Sequence, residues 1–230
     1  MNITLIGGHG KVALLLTPLL VDAGHQVTSV IRDPAQAEDI TAAGAKPLVL
    51  SVDEASTDAL AHAFEGQDAI VWSAGAGGGS PARTVAVDRD AAIRSMDAAS
   101  AAGVKRYVMV SYMGAGRVNR VDESNSFYTY QEAKLAADTH LRTTSLDWTI
   151  VGPGTLTLGE SPHGVSPAGA PAEARTGGRE TSRALVAEVV AASLANPQSV
   201  GQTLDFSDGS LGLDEWIGGV AAGRIPGAQA

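Results

Sequence analysis

The stretch "NITLIGGHGKVALLL" (2–16) decides how the rest of the chain is read. It begins with a β-branched, apolar run, passes through Gly7, Gly8 and Gly10, and continues with the texture of a helix. Gly7, Gly10 and Ala13 stand at a G-x-x-G-x-x-A spacing. Glycines let a backbone come close to a dinucleotide pyrophosphate, and a helix N-terminus offers free N–H groups and a positive dipole end. Ala13 lets the helix pack closely on the strand. Any tight strand-to-helix turn favours glycine, so the pattern gains meaning from its place in an alternating β/α chain.

That alternation continues outward from the turn. Short apolar runs follow at "QVTSVI" (26–31), "PLVL" (47–50), "AIVW" (69–72), "RYVMV" (106–110) and "WTIV" (148–151). Alanine-rich stretches of helical period lie at 11–23, 34–43, 56–65, 83–102 and 127–144. Continuous apolar strands between helices indicate a parallel sheet covered on both faces. Right-handed crossovers then make a doubly wound α/β domain of the Rossmann type. Residues 152–182 are rich in Gly, Pro, Ser and Ala and read as an irregular loop or short hairpin. The segment is either a flexible connector or, because it follows a strand's carboxyl end, a substrate-side lid. A helix at 183–195, a strand at 203–207 and a helical tail at 213–221 complete the pattern. With no repeat and no second core, the chain reads as a single domain. Its cofactor-binding core is 1–151, and 152–230 supply the substrate-side loop and C-terminal elements.

Composition narrows the function classes. Of 230 residues 44% are hydrophobic but only 4% aromatic, so the core is built from Ala, Val, Leu and Ile. A net charge of −9 without a basic run argues against nucleic acid and anionic membrane surfaces as partners. The absence of cysteine excludes disulfides, zinc–thiolate sites and thiol catalysis, and no metal is expected. The longest apolar run, "VALLLTPLLV" (12–21), is short for a bilayer and contains Pro18. The N-terminus shows no signal-peptide pattern. The expectation is a soluble, cytoplasmic monomer or homodimer acting on a small molecule.

Several residues fit a nucleotide cofactor. The second strand ends in "SVIRDP", with Arg32 at the tip where a 2′-phosphate would lie and Lys11 in the turn as a second positive charge. Alternatively, Arg32 pairs with Asp33 or Glu38, and Asp33 caps the next helix before Pro34. The reading favours NADP(H), with NAD(H) as the alternative. Asp53, after the third strand, either reaches the adenine amino group or serves a turn. Ala74 and Gly75, in "WSAGAGGGS" (72–80), leave room for the adenosine half. Val12, at the start of the first helix, completes the expected cofactor set.

The candidate chemistry lies in "YTYQEAK" (128–134). Tyr130, Lys134, Ala137 and Leu141 recur at i, i+4, i+7 and i+11, on one otherwise apolar helix stripe. A lysine on such a stripe needs a partner. Its ammonium would bring the tyrosine pKa down from about 10 toward the working range. Ser111, at the carboxyl edge of the fifth strand, would steady a developing oxyanion. Ser111, Tyr130 and Lys134 are thus the expected catalytic group, with Ser111 and Lys134 also touching the cofactor.

The stretches "GGHGKVA", "VIRDP", "AAGVKRYVMVSYMGAG", "YQEAKLAADTHLRTTSLDWTIVGPG" and "TSRALVAEVVAASL" together resemble the short-chain dehydrogenase/reductase superfamily. The similarity is to its atypical NAD(P)H-binding branch, with NmrA-like proteins and biliverdin reductase B-type flavin reductases. The resemblance implies a mainly parallel seven-stranded sheet. It also implies cofactor contacts from Gly7, His9, Gly10, Lys11, Arg32, Ala74 and Gly75, and a Ser111/Tyr130/Lys134 active site. Activities within the branch span reduction of carbonyls, quinones and flavins, isomerisation or epimerisation, and non-catalytic redox sensing. An intact Tyr130/Lys134 pair favours the reductase. Two departures stand out: Gly152 replaces an arginine in "GPG", and His9 replaces a small hydroxyl residue. His9 either approaches the phosphates or fills the loop. Arg183 is expected to tie the C-terminal segment to the core, and His163 to be a solvated loop residue or a substrate contact.

Overall fold

The computed structural model describes residues 1–78, 80–115, 121–168 and 179–227. Its strands are β1 (Asn2–Ile6), β2 (Gln26–Ile31), β3 (Lys46–Val49), β4 (Ala69–Trp72), β5 (Arg106–Val110) and β6 (Asp147–Pro153). Four follow in the second half: β7 (Thr155–Thr157), β8 (Val165–Pro167), β9 (Glu180–Ser182) and β10 (Gln202–Asp208). The main sheet runs β3-β2-β1-β4-β5-β6-β10-β8, and its first seven strands are all parallel. The strand order reverses between β1 and β4. The glycine turn after β1 and the glycine-rich loop after β4 therefore flank the crevice where open α/β sheets bind ligands.

The sheet has eight strands, one more than expected. The eighth, β8, pairs antiparallel with β10 at the edge. It is three residues long and reads "VSP", too short for a period-2 signal. Where an irregular loop or short hairpin was expected, β7 pairs parallel with β9. Residues 169–178 of the glycine-rich segment lie outside the described residues.

The helices are α1 (Lys11–Asp22), α2 (Ala37–Ala42), α3 (Thr57–Ala63), α4 (Pro81–Thr84), α5 (Ala92–Ala101), α6 (Tyr128–Thr143), α7 (Arg183–Ala195) and α8 (Leu213–Ala221). The single helix expected at 83–102 is instead α4, a π-helical segment over Val85–Ala91, and α5. The wider turn changes which residues face inward and buries Asp88 to 1% exposure. Such π segments recur at functional sites.

Strand residues alternate between two cores, as a sheet covered on both faces requires. On one side Leu5, Val71 and Val108 pack with Leu16, Leu20, Val186 and Val190 of α1 and α7. On the other, Ile70, Trp72, Tyr107 and Met109 meet Met96, Ala137 and Leu141 of α5 and α6. Arg106 stitches three elements together. It donates to Asp147 O, Thr149 Oγ1, Ser193 O and Ser199 Oγ, and burial lowers its pKa to about 10. Among the described residues no helix is long and apolar enough to cross a membrane.

Candidate active site

Three clefts follow the carboxyl edge of the sheet and share lining residues. The first, about 250 Å³, lies beside the tips of β2 and β3. It is lined by Gly7, His9, Gly10, Arg32, Asp53, Ala74 and Gly75, all named from the sequence, and by Arg83, which was not. Gly7 has φ +81°, and a Cβ there would lie 2.6 Å from Ala74 Cα, so this turn packs directly on the end of β4. Glycine is thus required at Gly7 for internal packing, whatever phosphate the turn holds. Gly10 caps α1 without a side chain, whereas Ser56, Ser80 and Ser182 cap α3, α4 and α7 through their hydroxyls. The first N–H groups of α1 are left for a ligand at a cleft wall formed by Gly10, Lys11 and Val12.

Asp53 is the turn residue that one of its two sequence readings had, and its side chain borders the cleft as well. It sits in the turn after β3, where Arg94 donates to Val52 O and Asp53 O. Ser51 Oγ donates to its Oδ1 at 2.7 Å, and Arg83 Nη1 reaches its Oδ2 at 3.3 Å. The Ser51 hydrogen bond, with Arg83 and Arg32 nearby, holds this carboxyl below the usual carboxylate range. Asp33 caps the short turn after β2 through Ala35 N, as one of the two sequence readings had it. His9 Nε2 meets Asp39 Oδ2 at 2.7 Å, which ties the glycine turn to α2 while the ring still faces the cleft.

The second cleft, about 790 Å³, brings Ser111, Tyr130 and Lys134 together with Lys11, Val12, Asp88 and Arg183. Lys134 is 1% exposed, and the partner its stripe demanded is threefold. Its Nζ donates to Val110 O at 2.9 Å, touches Met109 Sδ at 3.6 Å, and feels the carboxyls of Asp138 and Asp88. Burial lowers the lysine pKa against the pull of those carboxyls.

The expected lowering of the Tyr130 pKa is not what the protein does. Burial pushes the phenol up, and Asp88, Tyr112 and Asp138 push it further. The tyrosine therefore faces acids as well as a lysine, and it is held as a neutral phenol. Ser111 also differs from expectation, because its Oγ is hydrogen-bonded at 2.7 Å to Asp138 Oδ2. Asp138 stands four residues after Lys134 on the same helix face, so the spacing in "YQEAKLAAD" carried the signal. Asp88 had none, since the π segment that buries it breaks the helical period.

The third cleft, about 350 Å³, shares Ser111, Phe127, Tyr130 and Leu156 with the second. Tyr112, Phe127 and Tyr130 form its aromatic wall, with ring centroids 5.2–5.6 Å apart. Burial and the carboxyls of Asp138, Glu132 and Asp205 push Tyr112 up to about 12. Gly152, at the position of the family arginine, leaves space that Asp205 of β10 fills, since a Cβ there would run into its Oδ1. Asp205 Oδ2 accepts Gly114 N–H at 3.0 Å, so a carboxylate now holds the loop after β5. Arg183 donates to Leu156 O and Thr157 O, fastening α7 to β7 while lining the second cleft. His163 lies outside these clefts. It has φ +58°, and its Nδ1 meets Glu188 Oε1 at 2.9 Å.

A glycine turn at the strand-order reversal, an open helix N-terminus and cations near the β2 tip define a nucleotide-binding α/β protein of the doubly wound class. The chain belongs to the NAD(P)H-binding family, whose model matches residues 7–197. It is 32% identical to the Bacillus subtilis protein YhfK, named an uncharacterised sugar epimerase, over 94% of this chain and 98% of that one. A Bacillus halodurans structure named as an NAD-dependent epimerase/dehydratase superposes with a TM-score of 0.84 at 30% identity, covering 95% and 99% of the two chains. The anaerobilin reductase ChuY of Escherichia coli O157:H7 shares the fold, with a TM-score of 0.73 at 21% identity, covering 92% and 98%.

Proposed function

We propose that the protein is an NADP(H)-dependent reductase of a small carbonyl, quinone or flavin, with Ser111, Tyr130 and Lys134 as its catalytic group. The observation that carries this reading is that these three side chains line one cleft, which continues into the one bordered by the glycine turn. Bound NADPH would supply the hydride. The open N-terminus of α1 (Gly10, Lys11, Val12) would hold the pyrophosphate, and Arg32 with Arg83 the 2′-phosphate. Lys134 would hold the nicotinamide ribose. Tyr130, kept as a neutral phenol, would lend its proton to the acceptor oxygen.

The name of YhfK raises a second reading, an epimerase. The wall of Tyr112, Phe127 and Tyr130 with Leu156 and Met113 favours a flat apolar acceptor over a polyol sugar. The test is NADPH consumption with flavins, quinones and aldehydes, comparing wild type with Tyr130→Phe. Tyr130→Phe is expected to lower turnover by about 10²–10⁴-fold. Unchanged turnover would remove Tyr130 from the chemistry. Sugar epimerisation without net NADPH consumption would establish the second reading, and cofactor binding without any turnover a redox sensor.

A further inference from the structure

The buried charges beneath the second cleft do not balance. Lys134 brings one ammonium, while Asp88 and Asp138 bring two carboxyls, and all three residues are 0–1% exposed. Arg83 acts on Asp88 and Arg142 on Asp138 from outside this buried group, but within it two ionised carboxylates share one ammonium, a cost that a buried acid lowers by neutralising. The two carboxyls are not equivalent. Asp88 accepts Ala76 N–H at 3.0 Å and lines the cleft. Asp138 is enclosed: its Oδ2 meets Ser111 Oγ at 2.7 Å, and its Oδ1 has no hydrogen-bond partner among the described residues. A bare carboxylate oxygen is costly to bury, and the carbonyl oxygen of a neutral acid less so. A 2.7 Å contact serves either direction, since a hydroxyl rotates to donate or to accept.

We propose that Asp138 is a positioning residue that sets the hydrogen-bond polarity of Ser111. As a neutral acid it donates from Oδ2, and Ser111 turns its own proton into the cleft. As a carboxylate it takes that proton, and Ser111 presents only lone pairs. The first state offers a donor where negative charge develops on an acceptor oxygen; the second offers none. The consequence for turnover rests on the reductase reading, whereas the polarity switch does not. The charged and titratable groups facing Asp138 are Lys134, Tyr130 and Arg142 of α6 and Tyr112 after β5, while Asp88 of the π segment faces Lys134 and Tyr130. Burial favours the neutral acid, Lys134, the Ser111 hydrogen bond and Arg142 oppose it, and the balance lies upward.

The test compares cofactor-free wild type with Asp138→Asn by difference infrared spectroscopy across pH. Wild type is expected to show a carboxylic-acid C=O stretch near neutral pH that disappears on alkaline titration and is missing in Asp138→Asn. Because the Asn side chain cannot ionise, the variant is also expected to lose the alkaline fall in kcat that wild type shows. Should Asp138→Asn not fold, Ser111→Ala reports on the same acid and must shift the band. Three results would overturn the proposal: no such band from mildly acid to alkaline pH, a band indifferent to Ser111→Ala, or an alkaline limb unchanged in Asp138→Asn. If no acceptor is turned over, the reductase reading falls alone, and the infrared band still decides the role of Asp138.

Discussion

In the first cleft, Asp53 and Arg83 form an ion pair whose side chains are 19% and 37% exposed. Around Tyr130, by contrast, Lys134 and Asp138 keep only 1% and 0% of their surface. The first pair is partly hydrated, so solvent and salt screen it and its net contribution stays within about 1 kcal/mol. The second group has given up its hydration, so each charge depends on the others. One end of the cleft can therefore change its cofactor selectivity at little cost to the fold. At the other end, the side chains proposed to carry the chemistry also bear on stability.

The sharpest way to break this contrast is Lys134→Met. It removes the buried ammonium that Asp88 and Asp138 share and is expected to cost about 3–5 kcal/mol in denaturant unfolding, besides abolishing turnover. Arg83→Met, its counterpart at the exposed end, should cost less than about 1 kcal/mol in the same measurement. Gly7→Ala comes next. It forces a side chain to φ +81° and against Ala74, with an expected loss of about 3 kcal/mol and of NADPH binding by fluorescence titration. Arg32→Glu should leave the melting temperature nearly unchanged while narrowing the NADPH-over-NADH preference about tenfold, equivalent to about 1.4 kcal/mol; equal affinities in wild type would remove Arg32 from that role.

The smallest effect is the most discriminating, because its sign differs between the two ends. The Asp53 carboxyl is held below its ordinary value of 3.8, so its contribution is present above that pH and fades as pH falls through the lowered folded value. Asp138 is held above 3.8, so wild type is stabilised relative to Asp138→Asn at the acid end and loses that advantage as pH rises through the raised folded value. Melting curves of Asp53→Asn and Asp138→Asn against wild type should thus diverge in opposite directions with pH. Parallel curves would mean that burial does not separate the two carboxyls.

Much of this site was readable before the fold was seen. Gly7, Gly10, Arg32, Asp53, Ala74 and Gly75 lie at strand ends, and the alternation of apolar runs and helices locates strand ends directly. Tyr130 and Lys134 share a helix face because four residues make about one turn. The readings that failed depend on longer range or on a broken period. The seventh strand gained an eighth neighbour through "VSP", which has no periodic signature. Asp88 was hidden by a π segment, and Arg83 by a four-residue helix. The direction of the Tyr130 pKa came out reversed because the sequence shows the lysine one turn away but neither the burial of the ring nor the acids gathered around it.

By itself, then, the sequence determined the parallel α/β order, the glycine turn at its first strand and the common face of Tyr130 and Lys134. Each follows from a local period or from a single backbone requirement. Only the tertiary structure decided that Asp88 joins Asp138 at Lys134, that Ser111 is bound to a buried acid, and that Asp205 fills the space above Gly152. The physical reason is that a charge's state is set by everything that removes it from water. Here those groups come from β5, α6, β10 and the π segment, which only folding brings together.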